Sequence, residues 1–263
     1  MSDVVDYKIF GDDMQAVEIE LDRGEAVRAE AGAMLYMEDG IEMQTGTGGG
    51  MFSGFKRMLT GESFFITTFL YNGAGKGHVA FGAPYPGKII PIDLDQHGGQ
   101  FLVQKDGFLC AARGIEIEVA FTKRLGAGIF GGEGFILQRL TGSGLAFVHA
   151  GGAILKRQLQ PRERLRVDTG CLVAFEPSVD YDIQMIGGFK NALFGGEGLF
   201  VATLTGPGTV FIHAGGDFVE FTLKAGELLQ VDTGSIVAFE EAVNLQDSRP
   251  LELHLASSAD AYS

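Results

Sequence analysis

Three pairs of polar residues recur at one constant spacing, and their side chains are of types that bind metals or transfer protons. The same interval separates His149 from His213, Asp168 from Asp232, and Glu133 from Glu197. The histidines and glutamates are therefore the candidate ligand-binding residues. They could serve either a metal-dependent enzyme or a small-ligand site between repeats.

The surroundings of these residues favour a structural role instead. Each histidine precedes Gly-Gly, and each aspartate opens an Asp-Thr-Gly turn sequence in which its side chain can bond nearby backbone. One copy has Phe81 and Gly82 near the histidine position and lacks that candidate ligand. Asp-Thr-Gly also occurs in aspartic proteases, but two carboxylates sharing a proton must meet within about 3 Å, and nothing in the sequence brings them together. We predict no catalytic residue, no metal and no cofactor.

Three glycine-rich loops combine a basic residue with apolar side chains. Their segments are GGGMFSGFKRML, FTKRLGAGIF and GGFKNALF, and their candidate interaction residues are Phe55, Lys56, Lys123, Phe189 and Lys190. The loops are expected either to pack against a neighbouring repeat or to form an apolar patch for a partner or a membrane surface. The net charge of -14 disfavours an anionic membrane.

Internal repeats organise most of the chain. Residues 130–176 align without a gap on residues 194–240, with 25 identities in 47 positions. The second half of this unit returns when residues 17–44 are laid over residues 219–246, and a more diverged copy aligns Leu102 with Leu165. This pattern divides the chain into modules at 1–96, 97–160 and 161–225, with a partial unit at 226–263.

Apolar residues alternate with polar ones in these units. Val17, Ile19 and Leu21 alternate with Glu18 and Glu20, which is the period of a strand with one buried face. The same alternation predicts strands at residues 115–121, 219–223 and 251–255. No helical period extends over ten residues, so the sequence predicts an antiparallel all-β fold.

Composition restricts the partners and the compartment. With 20 basic against 34 acidic residues and no basic cluster, the chain is not expected to bind nucleic acid. Cys110 and Cys171 lie in apolar strand sequences and are expected to be free thiols. The acidic N-terminus lacks the features of a signal peptide, and no apolar stretch reaches the length of a spanning helix. These features predict a cytoplasmic protein.

At its repeated FGGEG, LTG, HAGG and VDTG segments the chain resembles a family of uncharacterised bacterial proteins related to a mitochondrial-biogenesis protein of the altered-inheritance-of-mitochondria type. The resemblance covers about residues 17–255. It implies a fold like that of the tryptophan RNA-binding attenuator protein, with three short double-stranded β-helix modules per chain and assembly into a ring. It implies no activity that could be transferred to particular residues.

The repeated residues are mainly glycines, turn formers and core apolars, which indicates a non-enzymatic, self-assembling scaffold or interaction protein. Terminal modules leave open strand edges, which can meet within one chain or between neighbouring chains, and a homo-oligomer is expected. Ring assembly in the resembling fold favours a homotrimer. A small-ligand-binding module and a metal-dependent enzyme are the alternatives.

Overall fold

The fold was described from a computed structural model that covers residues 5–47, 65–123, 135–186, 199–248 and 252–256. These residues form antiparallel β-strands joined by tight turns and short 3₁₀ turns, and none of them is in an α-helix. The predicted all-β class is therefore confirmed.

Contacts divide the chain into two compact units rather than four segments. Unit 1 comprises residues 1–124 and 133–152, and unit 2 comprises residues 125–132 and 153–263. The module boundaries at residues 96, 160 and 225 describe the sequence repeat and stay a prediction.

Unit 1 contains two sheets and a further three-stranded ladder. Its strands are β1 (Asp6–Phe10), β2 (Ala16–Asp22), β3 (Ala26–Glu30), β4 (Met34–Met37), β5 (Ile41–Thr47), β6 (Phe65–Tyr71), β7 (Lys76–Gly82), β8 (Gly87–Asp93), β9 (Gln100–Gln104), β10 (Phe108–Ala112), β11 (Glu116–Lys123), β12 (Phe135–Thr141) and β13 (Leu145–Gly151). The strand orders are β1-β2-β7-β4, β5-β6-β3-β10-β13-β8 and β11-β12-β9. Alternation explains the burial, since Val17, Ile19 and Leu21 are fully buried while the intervening glutamates face outward.

Unit 2 is built in the same way from shorter sheets. Its strands are β14 (Ala153–Leu159), β15 (Arg164–Asp168), β16 (Leu172–Phe175), β17 (Asp180–Ile186), β18 (Leu199–Thr205), β19 (Gly208–Ala214), β20 (Leu228–Gln230), β21 (Ala238–Glu240), β22 (Asn244–Ser248) and β23 (Glu252–Ala256). They pair in the orders β16-β19-β14, β17-β18-β15-β21 and β20-β23-β22. At one end, Val201 and Phe239 form a small apolar core with Leu199 and Ile236.

The predicted strand at residues 219–223 is absent, which corrects the sequence interpretation. Val219 and Phe221 are 77% and 60% exposed, and residues 217–224 have no regular secondary structure. The corresponding strands β2, β8 and β14 each pair with a strand that ends near the HAGG position: β7, β13 and β19. Since a strand needs a neighbour for its backbone hydrogen bonds, alternation alone did not suffice at residues 219–223, where the described residues supply no such neighbour.

Strand registers also correct the alignment of the diverged copy by one residue. Phe101 lies opposite Leu140, and Leu165 lies opposite Leu204. Leu140 and Leu204 are equivalent when residues 130–176 are laid over residues 194–240. Phe101, rather than Leu102, is therefore the counterpart of Leu165. The match of Gly107 with Gly170 in the sequence is therefore one residue out of register with the strand pairing.

One tight turn recurs between the strands of three copies. The amides of Glu25, Glu163 and Glu227 donate to carbonyls three residues earlier, those of Asp22, Gln160 and Lys224. In return each glutamate carboxylate accepts the backbone N–H of that earlier residue, at 2.9, 2.7 and 2.9 Å. The repeated glutamate thus fixes a turn by two reciprocal hydrogen bonds.

Candidate functional site

His149 is a buried, partnered residue of strand β13. Its Nδ1 lies 2.9 Å from the hydroxyl of Tyr85, and the two rings are tilted with centroids 5.2 Å apart. On the adjacent strand Ile89 lies opposite it. The imidazole of His149 is thus buried, hydrogen-bonded to the Tyr85 hydroxyl and packed against the Tyr85 ring, which indicates a structural role.

Acidic residues lie close to this pair and perturb one another. Tyr85 has its pKa raised to about 12 by burial and by the charges of Asp106 and Glu30. Much of Glu30 contacts solvent, yet loss of hydration at its carboxyl, reinforced by Asp106, raises its pKa to about 7. Lys105 opposes that shift. The end of β3 thus brings together two groups, Glu30 and Tyr85, whose pKa values are raised by burial and by neighbouring negative charge.

His213, the repeat partner of His149, has a different environment. It lies half-buried on β19, and its Nε2–H donates to the carbonyl oxygen of Gly170 at 2.9 Å. Equivalent histidines bind a side-chain hydroxyl in one copy and a backbone carbonyl in another. The two repeat-related histidines therefore differ in these contacts.

The Asp-Thr-Gly segments are turns, in agreement with the structural interpretation of the sequence. Asp168 accepts the backbone N–H of Gly170 at 2.7 Å, and Asp232 accepts that of Gly234 at 3.0 Å, each carboxylate capping a 3₁₀ turn. Burial raises the pKa of Asp168, and the hydrogen bond from Gly170 partly opposes the shift. Each aspartate is engaged with its own backbone.

Both thiols are free and poorly ionised. Cys110 is buried in β10, and burial raises the pKa of its thiol. Burial, together with the charge of Asp168, raises the pKa of the Cys171 thiol to about 12. Since the thiolate is the nucleophile, neither environment favours a reactive cysteine.

A charged group on the outer face of the first sheet was not singled out from sequence. The Nδ1 of His78 lies 2.8 Å from Glu38, and its Nε2 lies 3.3 Å from Glu20, which also contacts Lys76. The hydrogen bond with Glu38 is the main cause that raises the pKa of His78. Alternation on β2 had placed Glu20 on this face, but only the register of β7 against β2 brings His78 opposite it. Within the described ranges, no group of three or more His, Cys, Asp or Glu residues is placed to hold a metal ion.

Two of the strands that end the described sheets differ from the others in their side chains. The strands that end the sheets, with a hydrogen-bonded neighbour on one side only, are β1, β4, β5, β8, β11, β14, β17, β20, β21 and β22; β9 and β16 are hydrogen-bonded on both sides and are not among them. Eight of these carry a charged residue or a proline within the strand, such as Pro91 in β8 or Lys156 in β14. Such residues protect an edge from further pairing. Strands β4, with sequence MLYM, and β20, with sequence LLQ, carry neither.

Large apolar side chains are exposed on both unprotected edges. Leu35 is 56% exposed on β4, where Tyr36 and Met37 are exposed as well, and Leu228 is 60% exposed on β20. Leu109, at the position of β10 that matches Leu35, is only 1% exposed. Exposed apolar residues that follow one another along a strand mark interaction surfaces, so β4 and β20 are the candidate functional surfaces among the described residues.

Several residues singled out from sequence lie outside the described residues. These are Glu133, Glu197, Phe55, Lys56, Phe189 and Lys190. Lys123 is the last residue of β11, and its backbone lies opposite Phe135 of β12. The expected roles of the glycine-rich loops therefore stay predictions. Across the described parts of the chain, no helix has the length and apolar character to cross a membrane.

Comparisons with known proteins agree with these observations. The model of the family described as "Mitochondrial biogenesis AIM24" matches residues 7–214 and 198–254, so the chain belongs to this family. The resemblance noted in the repeated segments is thereby confirmed.

A bacterial relative and a solved structure extend the comparison. The uncharacterised protein M6_Spy0233 of Streptococcus pyogenes is 29% identical over 206 residues, covering 75% of this chain and 80% of the relative. The crystal structure of SPYM3_0169 from Streptococcus pyogenes, a structural genomics target, matches with a TM-score of 0.65 and 26% identity. That match covers 80% of this chain and 93% of the solved chain.

Proposed function

We propose that this protein is a non-enzymatic, self-assembling scaffold. In this proposal the chain consists of tandem short double-stranded β-helix modules, and three chains close into a ring. The main support for this proposal comes from β4 and β20. Among the strands that end the described sheets, these two alone lack a charged residue or proline, and both expose large apolar side chains.

The repeated polar residues support this proposal because the described ones have structural partners. His149 contacts Tyr85, His213 donates to a backbone carbonyl, and Asp168 caps a turn. These contacts support structural roles for the three side chains. A repeat maintained by turn and core residues favours a protein that presents surfaces over one that performs chemistry.

Unprotected edges favour self-association because the outer side of an edge strand presents a row of unpaired N–H and C=O groups. An edge strand pairs most readily with another edge strand whose backbone N–H and C=O groups match its own. Two different edges on one chain produce a head-to-tail contact, which closes into a ring when the rotation between copies permits. A cytoplasmic location remains part of the proposal, on the basis of the two free thiols.

Sedimentation equilibrium at micromolar protein tests the assembly. The chain has a mass of 28.1 kDa, so a trimer gives a single species at three times that mass. A single species at the monomer mass would contradict self-assembly. A concentration-dependent series of ever larger species would contradict the closed ring.

A charge placed on the unprotected edge supplies the matched comparison. Met37→Lys gives β4 the type of residue that protects the other sheet-ending strands and should shift the protein to the monomer mass. Met43→Lys is the control, since Met43 is also an exposed methionine on a sheet-ending strand but β5 already contains Glu42. The control should retain the mass of the unmodified protein.

A further inference from the structure

We propose that β20 of one copy pairs antiparallel with β4 of a second copy, with Gln230 directly opposite Met37. This inference rests on the proposed self-assembly and adds the two strands, the direction and the register. The structure offers an internal template for that pairing in each of its two units.

The template is a strand pairing that recurs with one register. In unit 1, β3 pairs with β10, with Ala29, Arg28 and Val27 opposite Cys110, Ala111 and Ala112. In unit 2, β15 pairs with β21, with Val167, Arg166 and Leu165 opposite Ala238, Phe239 and Glu240. Each pairing joins a strand that follows a tight turn to a strand of the next repeat.

The alignments of the sequence repeats show which residues of β4 and β20 correspond to the residues of this internal pairing. Arg166 lies opposite Phe239 in unit 2. Laying residues 130–176 over residues 194–240 takes Arg166 to Gln230 of β20, and laying residues 219–246 over residues 17–44 takes Phe239 to Met37 of β4. The internal register thus places Gln230 opposite Met37 and Val231 opposite Tyr36.

Strand β4 shares a local irregularity with the strand it would imitate. On the side of its existing partner, β4 has a register shift between Met34 and Tyr36, and β10 has the same shift between Phe108 and Cys110. The two strands therefore present equivalent backbone edges on their other side. For β10 that side is occupied by β3, and its residues are buried. For β4 that side is the end of the sheet.

A second copy of this chain is the occupant that fits. Each chain carries both halves of the template, one on β4 and one on β20, and both edges lack the charges that protect other sheet ends. Pairing of β4 with β4, or of β20 with β20, has no counterpart among the internal pairings of the described strands. The contact is therefore head to tail, between unlike surfaces of identical chains.

Cysteine cross-linking between two different single variants tests the register. The N–H of Asp168 donates to the carbonyl of Val237, and two residues farther along the same ladder Arg166 faces Phe239, so this pair is of the hydrogen-bonded type. Such pairs have Cα atoms about 5.5 Å apart, within the range for a disulfide. Met37→Cys and Gln230→Cys chains, co-expressed with different tags and mildly oxidised, should form a disulfide-linked dimer that contains both tags.

Three controls define the result. Each single variant expressed alone should give no such dimer, because the contact joins unlike strands. Co-expression of Asp39→Cys with Gln230→Cys moves one cysteine two residues beyond the predicted partner, where Cα separations of about 7–8 Å prevent an efficient bridge. The double variant Met37→Cys, Gln230→Cys detects closure within a single chain.

The outcomes separate this inference from the proposed function. A mixed-tag dimer only in the Met37→Cys and Gln230→Cys mixture supports the register. An oligomeric unmodified protein without that dimer, or with an equal yield from the Asp39→Cys mixture, overturns the register and leaves self-assembly standing. A monomeric unmodified protein with a cross-link only inside the double variant overturns both the intermolecular contact and the proposed assembly.

Discussion

Replacing Arg162 by glycine should stabilise the fold, because this residue holds a backbone conformation that suits glycine. Arg162 has φ of +69°, and it is the sole non-glycine residue with positive φ among those described. The repeat places Gly24, Gly98 and Gly226 at the same turn position, with φ of +90°, +68° and +77°. Pro161 precedes Arg162, and the amide of Glu163 donates to the carbonyl of Gln160, a pattern of turns that prefer glycine at the third position.

The magnitude follows from two opposing contributions. Left-handed backbone costs a residue with a Cβ about 1–2 kcal/mol, which Arg162→Gly removes. Glycine loses more conformational freedom on folding, at a cost of about 0.5–1 kcal/mol. The net gain in free energy of unfolding is therefore about 0.5–1 kcal/mol. Gly24 and Gly226 have no heavy atom within 4 Å of an added Cβ, so Gly24→Ala tests the backbone cost without a clash and should destabilise the protein.

Urea denaturation at fixed pH and protein concentration measures these changes, with Arg162→Ala as the control. The alanine variant removes the exposed guanidinium but keeps the Cβ, so its stability should stay close to that of the unmodified protein. If Arg162→Gly lowers stability while Arg162→Ala does not, the argument from φ is wrong. If both variants lose stability equally, the arginine side chain itself supports the turn.

Three further predictions concern ionisation, thiol reactivity and the strand edges. Because folding raises the pKa of Glu30 from 4.5 to about 7, the folded state favours the protonated carboxyl. The stability that this residue contributes is therefore full below pH 4.5 and is lost as the pH rises to about 7, and Glu30→Gln should remove that decline in urea titrations. Cys171, with its pKa raised to about 12, should react with iodoacetamide at pH 8 far more slowly than in urea-unfolded protein, and equal rates would contradict its burial. Leu109→Ala should lower the free energy of unfolding by about 2–5 kcal/mol as a core truncation, whereas Leu35→Ala should chiefly weaken assembly in sedimentation experiments.

The sequence predicted strands in which one face is buried and the other is exposed. Alternation at Val17, Ile19 and Leu21 marks a buried face, and the structure confirms it. The same pattern failed at Val219 and Phe221, which are exposed and outside any strand. Periodicity reports which face could be buried, but a strand also needs a backbone partner, and alternation carries no information about that partner.

The contacts of the candidate site residues also fall into those that the sequence could predict and those that it could not. Turn roles for Asp168 and Asp232 could be predicted because the interacting atoms are two residues apart. The contacts between His149 and Tyr85 and between His78 and Glu38 join residues far apart in the sequence. Such contacts depend on strand register, which side-chain period alone does not determine. The Glu30 cluster was missed for the same reason, since Asp106 reaches it through the pairing of β3 with β10.

The side chains of the edge strand β4 differ from those of β10, which pairs with β3 inside the chain. This difference separates the register of the proposed pairing from its affinity. Strand β10 carries Cys110 and Ala111 against β3, whereas β4 carries Tyr36 and Met37 at the matching positions. Backbone hydrogen bonds set the spacing of a ladder, while cross-strand side chains set much of its stability. Arg28 opposite Ala111 pairs a long side chain with a short one, and Gln230 opposite Met37 would pair two of intermediate length. The register can therefore follow the internal template while the affinity depends on side chains that the template does not share. Cysteine pairs at these positions measure the first property, and Met37→Lys measures the second.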